Sequence, residues 1–184
     1  MDSVANARRE GLAAVIGGFL LASAGGGVAD DAMNTPFDPH ALLDAPLMAN
    51  LATICPDGPR NAPMWFLWEA GVIWLPSDTR ASSVARIADD PRVAVEIVRF
   101  EPDTGILLHL GLRGQAEVVA MDANRFRCLL VKYLGPDQAG WNPWFIDTIA
   151  RIDDPNGRFI RLSPDSTFTN NVSFFRTGPG LAWP

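Results

Sequence analysis

Residues 63–76 read PMWFLWEAGVIWLP, and no other stretch limits the fold of this chain so tightly. The stretch holds Trp65, Trp68 and Trp74, three of the six tryptophans in 184 residues. Side chains of a strand alternate between its two faces. Trp65 therefore points opposite to Phe66 and Trp68, and both faces are bulky and apolar. A small barrel covers only the inner face of its strands. The outer face needs a second cover, and the sequence leaves two candidates: another subunit or a flat aromatic ligand.

The flanks read as an antiparallel β protein with short helices. Residues 60–69 and 72–75 form two strands joined through Ala70-Gly71. Residues 48–55 alternate as a strand before them, and Pro56-Asp57-Gly58-Pro59 makes the turn between. Residues 37–47 form a short helix, with Asp38 as its cap and Pro39 in its first turn. Residues 80–88 switch to helical spacing, and Asp89-Asp90-Pro91 stops them. Residues 93–100 alternate again. Residues 106–119 form a long strand with Gly111 and Gly114 inside it, which suits a bulge or a barrel corner. Residues 122–134 form a helix capped by Asp122 and stopped at Gly135-Pro136. A short helix starts at Pro143, residues 158–162 give a last strand, and the polar tail after Ser163 reads as loop. About six strands dominate three or four short helices, and a small closed barrel removes their exposed edges.

Composition removes several function classes. Apolar residues make up 48% of the chain, enough for a core without disulfide staples. The net charge is −6, and nothing offers the basic face that nucleic-acid binding needs. Fourteen of the fifteen basic residues are Arg, and Lys132 is the only lysine. Anion binding therefore falls to guanidinium groups and backbone amides. Cys55 and Cys128 lie in no metal-ligand pattern, so no metal site is expected. The two histidines, His40 and His109, lie near no nucleophile elbow, so hydrolase chemistry is disfavoured.

Residues 1–33 read as an extension before a domain spanning 34–184. Arg8-Arg9, the mainly apolar run 12–24 and the small residues after it follow the order of an export signal, although a run of thirteen residues is too short to span a bilayer. The alternative is an added N-terminal helix on a cytoplasmic protein, and this reading is preferred.

The segment SDTRASSVAR, residues 77–86, leaves a strand and enters a helix. Free N–H groups at a helix start attract phosphate. Ser77, Thr79, Ser82 and Ser83 offer hydroxyls, with Arg80 in the first turn and Arg86 in the last. Simple capping by Ser77, Asp78 and Thr79 with solvated arginines is the competing reading, and Asp78 repels a phosphate.

The succession LATICPDGPRNAPMWFLWEAGVIWL, SDTRASSVARIADDPRVAV and LGLRGQAEVV resembles the pyridoxamine 5′-phosphate oxidase-like proteins, the FMN-binding split barrels. The likeness runs from Phe37 to Val119 and weakens beyond. It implies a mainly β fold, a six-stranded antiparallel split β-barrel working as a homodimer, with FMN, or F420 in one branch, at the dimer interface. It further implies that Met64, Trp65 and Phe66 run along the flavin ring, and that Ser77, Thr79, Arg80, Ser82 and Ser83 surround its ribityl chain and phosphate, with Arg86 available as a substitute cation. Trp141, Asn142 and Trp144 are candidates contributed by the second subunit. Many members carry Lys or Arg after the serine, where this chain has Ser82-Ser83. The implied activity is hydride transfer between flavin and a small aromatic or heterocyclic substrate, with no catalytic side chain assigned. The rivals are an F420-dependent reductase on the same barrel and a flavin- or haem-binding protein without turnover.

Overall fold

The computed structural model describes residues 37–151 and 155–173. The expected extension, residues 1–33, lies outside them. Eight strands are present: β1 (Ala49–Thr53), β2 (Arg60–Met64), β3 (Leu67–Glu69), β4 (Val72–Asp78), β5 (Arg92–Glu101), β6 (Ile106–Ala120), β7 (Gly157–Leu162) and β8 (Ser166–Asn171). The helices are α1 (His40–Leu43), α2 (Ser82–Asp89), α3 (Ala123–Leu134) and α4 (Pro143–Ala150), with a 3₁₀ turn at Gln138–Gly140.

All pairings are antiparallel, in the order β2-β1-β5-β6-β7-β4-β3, and β8 also pairs with β6. The two ends of that path, β2 and β3, are consecutive in the chain, with only Trp65-Phe66 between them. The hydrogen-bonded ring is thus open at one seam, which the chain itself crosses. This is a split barrel, mainly β with short helices. The expected single strand over 60–69 is corrected to two, because the backbone changes sheets at Trp65-Phe66.

The expected loop after Ser163 is also corrected, since β8 runs there. Leu162 pairs with Ala116 and Ser166 with Arg113, so residues 163–165 face only Gly114 and Gln115. That extra residue is a bulge, and Pro164 suits it because it has no N–H to leave unpaired. The eight segments therefore behave as six strands, with β2/β3 and β7/β8 each one strand interrupted. The glycines of β6 do not bulge β6 itself, whose register with β5 is unbroken. They make room for neighbours instead. A Cβ on Gly111 would lie 1.9 Å from the Phe168 ring, and one on Gly114 would meet the backbone nitrogen of Asp165 at 3.1 Å.

Inside the barrel, Leu51, Ile73, Leu75, Ile97, Leu110 and Ile160 are fully or almost fully buried. A second cluster lies on the other side of β4 and β7, where Trp74 and Phe159 pack under Phe126, Leu129 and Leu130 of α3 and under Trp141. The tryptophan-rich hairpin is thus buried twice, and its outer cover is this chain's own helical layer. Arg125 of α3 fastens the layer to the hairpin: its Nε lies 2.8 Å from the Glu69 carboxylate, and its guanidinium carbon lies 4.0 Å from the centre of the Trp74 ring. Ala70 (φ 50°) and Gly71 (φ 79°) both take left-handed conformations, as a tight two-residue hairpin demands.

Candidate functional site

Three features meet around the expected site residues: the seam, the junction from β4 to α2, and a pocket between β4 and α4.

At the seam, Phe66 is fully buried, and neither of its backbone polar groups relies on a strand partner. Its N–H donates to the Tyr133 hydroxyl at 3.0 Å, and its carbonyl accepts from Lys132 Nζ at 3.1 Å. Lys132 also donates to the Leu43 carbonyl at 2.8 Å, and its Nζ lies 3.4 Å from the centre of the Phe66 ring. Tyr133 donates to the Leu47 carbonyl. The Trp65 indole stacks on Tyr133, with centroids 4.6 Å apart and an angle of 6°, and on Phe145 at 5.8 Å. Lys132 and Tyr133 thus hold open the point where the ring of strands fails to close. Burial brings the Lys132 amine down to about 7, against a smaller opposite pull from Asp44. Burial also pushes the Tyr133 phenol up to about 12, partly offset by the Phe66 N–H that it accepts. Sequence reasoning did not single out either residue. The signal available was the lone lysine beside the lone tyrosine on the apolar face of a helix.

The junction is built differently from the expected one. Strand β4 continues to Asp78, three residues further than alternation suggested, because Pro76, Ser77 and Asp78 pair with Phe159, Arg158 and Gly157. Helix α2 then begins at Ser82, so Arg80 precedes the helix and is not in its first turn. Ala81 is the N-cap, and no side chain caps the helix. A helix start with uncapped N–H groups is an anion-binding feature. Ser82 is exposed there and Ser83 is nearly buried.

The expected residues divide between two sides of this junction. Arg86 turns onto the barrel, where its Nε donates to Oγ1 of buried Thr53 at 2.8 Å. Thr79 bonds Asn156 through its hydroxyl at 3.1 Å. Arg80 forks onto Asp78, with Nε–Oδ1 at 2.8 Å and Nη2–Oδ2 at 3.0 Å. These contacts, together with the Arg80 N–H, hold the Asp78 carboxyl at about 2. The Ser77 hydroxyl is buried with no hydrogen-bond partner. Such an orphan costs about 1–3 kcal/mol unless something else satisfies it.

Beside the junction lies a pocket of about 460 Å³. Ser77, Asp78 and Arg80 line it on the strand side, and Trp144, Thr148 and Arg151 on the other. Three of the expected residues, Ser77, Arg80 and Trp144, thus share one cavity within a single chain. The other two residues of the C-terminal group have in-chain duties. Trp141 is buried, and its Nε1 donates to the Gly135 carbonyl at 3.0 Å. Asn142 caps α4, accepting from the Trp144 N–H at 2.9 Å. Met64 packs partly buried against the barrel core. His109 lies under the Phe168 ring, 3.7 Å from the Glu96 carboxylate, and does not line the pocket. Among the described residues, no cluster of three or more His, Cys, Asp or Glu could hold a metal ion, and no helix is long and apolar enough to cross a membrane.

No protein-family model matches the chain, and no curated protein matches it. Solved structures do. A conserved hypothetical protein from Mycobacterium tuberculosis superposes with a TM-score of 0.64 at 18% identity, covering 83% of this chain and 96% of that one. An F420 reductase superposes with a TM-score of 0.52 at 27% identity, covering 73% and 98%. A candidate pyridoxamine 5′-phosphate oxidase from Listeria innocua gives 0.50 at 18% identity, covering 70% and 92%. The fold is that of the pyridoxamine 5′-phosphate oxidase-like split barrels.

Proposed function

We propose that this split-barrel chain pairs with a second copy of itself, binds a phosphorylated flavin-type cofactor and acts as an oxidoreductase on a small molecule. FMN is the first candidate cofactor and F420 the rival, the latter favoured by the likeness to an F420 reductase. One observation carries the reading: α2 starts without a side-chain cap, next to two serine hydroxyls, at the end of a barrel strand. The residues present fit a phosphorylated group. The first-turn N–H groups with Ser82 and Ser83 would hold the phosphate, and the orphaned Ser77 hydroxyl is a donor for the polar chain.

When bound, such a cofactor supplies the hydride chemistry. The protein's part is to bind, orient and exclude water. Helix α2 sets the position of the charged end. Lys132 and Tyr133 fix the backbone of Phe66 and the ring of Trp65, so the wall at the seam is rigid. The Phe66 N–H and carbonyl are already engaged within the chain, so polar contacts to a ring at the seam fall to its neighbours. Because Arg80 is neutralised by Asp78 and Arg86 is bonded to Thr53, the helix start and the hydroxyls bear the main load of phosphate binding.

The visible spectrum of the freshly purified chain, followed by parallel titrations with FMN and F420, tests the reading. Saturable binding of one cofactor is expected. A colourless protein that changes the spectrum of neither would sink it.

A further inference from the structure

The two halves of the barrel's outer surface differ. Over β4 and β7 lie α3 and α4, with Trp74 and Phe159 packed beneath them. On the other half the outward side chains face solvent. Strand alternation sends Val95, Ile97 and Leu110 into the barrel and Glu96, Val98 and Phe100 outward. The registers extend that outer face sideways: Val98 lies beside His109, Glu96 beside Gly111, and Gly111 beside Phe168. Phe100 is 59% exposed, Val98 39% and Phe168 38%. Apolar side chains gathered on one exposed face mark contact with another molecule.

Area, charge and shape select a second copy of this chain. At about 3.4 Å of rise and about 4.8 Å of spacing, β2, β1, β5, β8 and the part of β6 paired with β5 present a flat area of about 600 Å². Side-chain relief raises the accessible area toward the roughly 800 Å² that each partner of a stable dimer buries. The chain carries a net charge of −6, so two copies repel wherever their acids meet. This face is balanced: it holds the Glu96 carboxylate and the Arg113 guanidinium, the latter 5.4 Å from the centre of the Phe168 ring. A surface bearing one group of each sign complements its own copy, because a two-fold axis makes every contact twice. The shape is self-complementary too. Phe100 projects at one end of β5. At the other end Ala52, Ile54, Pro59 and Ala94 line an apolar groove of about 220 Å³, and Arg92 at its rim is already forked onto Asp90.

We infer that two copies pack face to face through β1, β5, β6 and β8, with their β5 strands antiparallel, so that Phe100 of each enters the groove beside Ala94 of the other. This packing gives a surface to the self-pairing proposed above and rests on that reading.

Sedimentation equilibrium of the full chain, purified without cofactor, is the test. The wild type is expected at twice the mass of one chain. Phe100→Asp puts a carboxylate on the projecting side chain and Ala94→Glu puts one in the groove. Each should weaken self-association at least about thirty-fold, the effect of losing one buried aromatic anchor. Both positions face outward, so circular dichroism should stay that of the wild type. Ile146→Asp, on exposed α4 surface of the other half, should leave the dimer intact. Undiminished self-association in Phe100→Asp and Ala94→Glu overturns this face and leaves the pairing itself standing. A wild type that stays a single chain at every concentration overturns both. Pairing that appears only after residues 1–36 or 174–184 are removed would mean that the chain covers this face itself, and overturns the packing as well. Failure of the FMN and F420 titrations would leave this result untouched.

Discussion

Replacing Tyr133 with Phe isolates the hydroxyl that holds the seam. The ring stays, and with it the stack on Trp65 at 4.6 Å. What leaves is one oxygen serving two backbone groups, the Phe66 N–H and the Leu47 carbonyl. Phe66 is 0% exposed, so water does not reach the stranded N–H. An orphaned buried donor costs about 1–3 kcal/mol, and the lost bond to Leu47, which is only partly buried, adds about 0.5–1.5 kcal/mol. The expected loss is about 1.5–4.5 kcal/mol. Urea unfolding should show it as a lower midpoint at unchanged slope, since the surface exposed on unfolding is the same. A loss below about 0.5 kcal/mol would refute the reasoning, because it would mean that the seam satisfies its own backbone without α3.

Three further outcomes are expected. The Lys132 amine sits at about 7 in the folded chain against its ordinary 10.5, so between those values the unfolded chain holds a proton that the folded chain has released. Stability should therefore rise with pH across that window; urea midpoints measured through it should climb for the wild type and lose that climb in Lys132→Met. Gly111→Ala places a methyl where the Phe168 ring sits, at 1.9 Å, so the ring must leave and β8 should loosen; hydrogen exchange at residues 166–171 should speed up by about ten-fold, and unchanged protection contradicts the packing. Ser82→Glu puts a carboxylate at the start of α2, where it favours the helix by about 0.3–1 kcal/mol yet repels a phosphate. Thermal stability should hold or rise while FMN or F420 affinity falls at least about ten-fold, and equal affinity would place the phosphate elsewhere.

The strands were legible wherever alternation was strong. Residues 93–100 and 106–119 became β5 and β6 with no boundary shifted by more than one residue, and the Asp122 cap was found in place, accepting from the Arg125 N–H at 2.8 Å. The break at Trp65-Phe66 was not legible, because a run of bulky apolar residues reads as one strand whichever sheets its halves join. What splits it is satisfaction of the Phe66 backbone by side chains 66 and 67 positions away. Strand β8 was missed because STFTNN is polar: it pairs along β6 through its backbone and covers Gly111 with Phe168, neither of which periodicity reports. At the site, the directions of the expected residues were not legible. Arg80 and Arg86 fall on either side of α2, and their partners, Asp78 and Thr53, are fixed by where β4 ends and by how the helix packs on the barrel. Arg151 stayed hidden because it comes to line the same pocket as Trp144 only once residues 143–150 are helical.

Sedimentation of the purified chain, loaded with its preferred cofactor and followed by visible absorbance, tests the central claim most directly. The account predicts one coloured boundary at twice the mass of the chain, with one cofactor bound per chain. A colourless boundary at the mass of a single chain, with all the colour left behind as free cofactor, would contradict it.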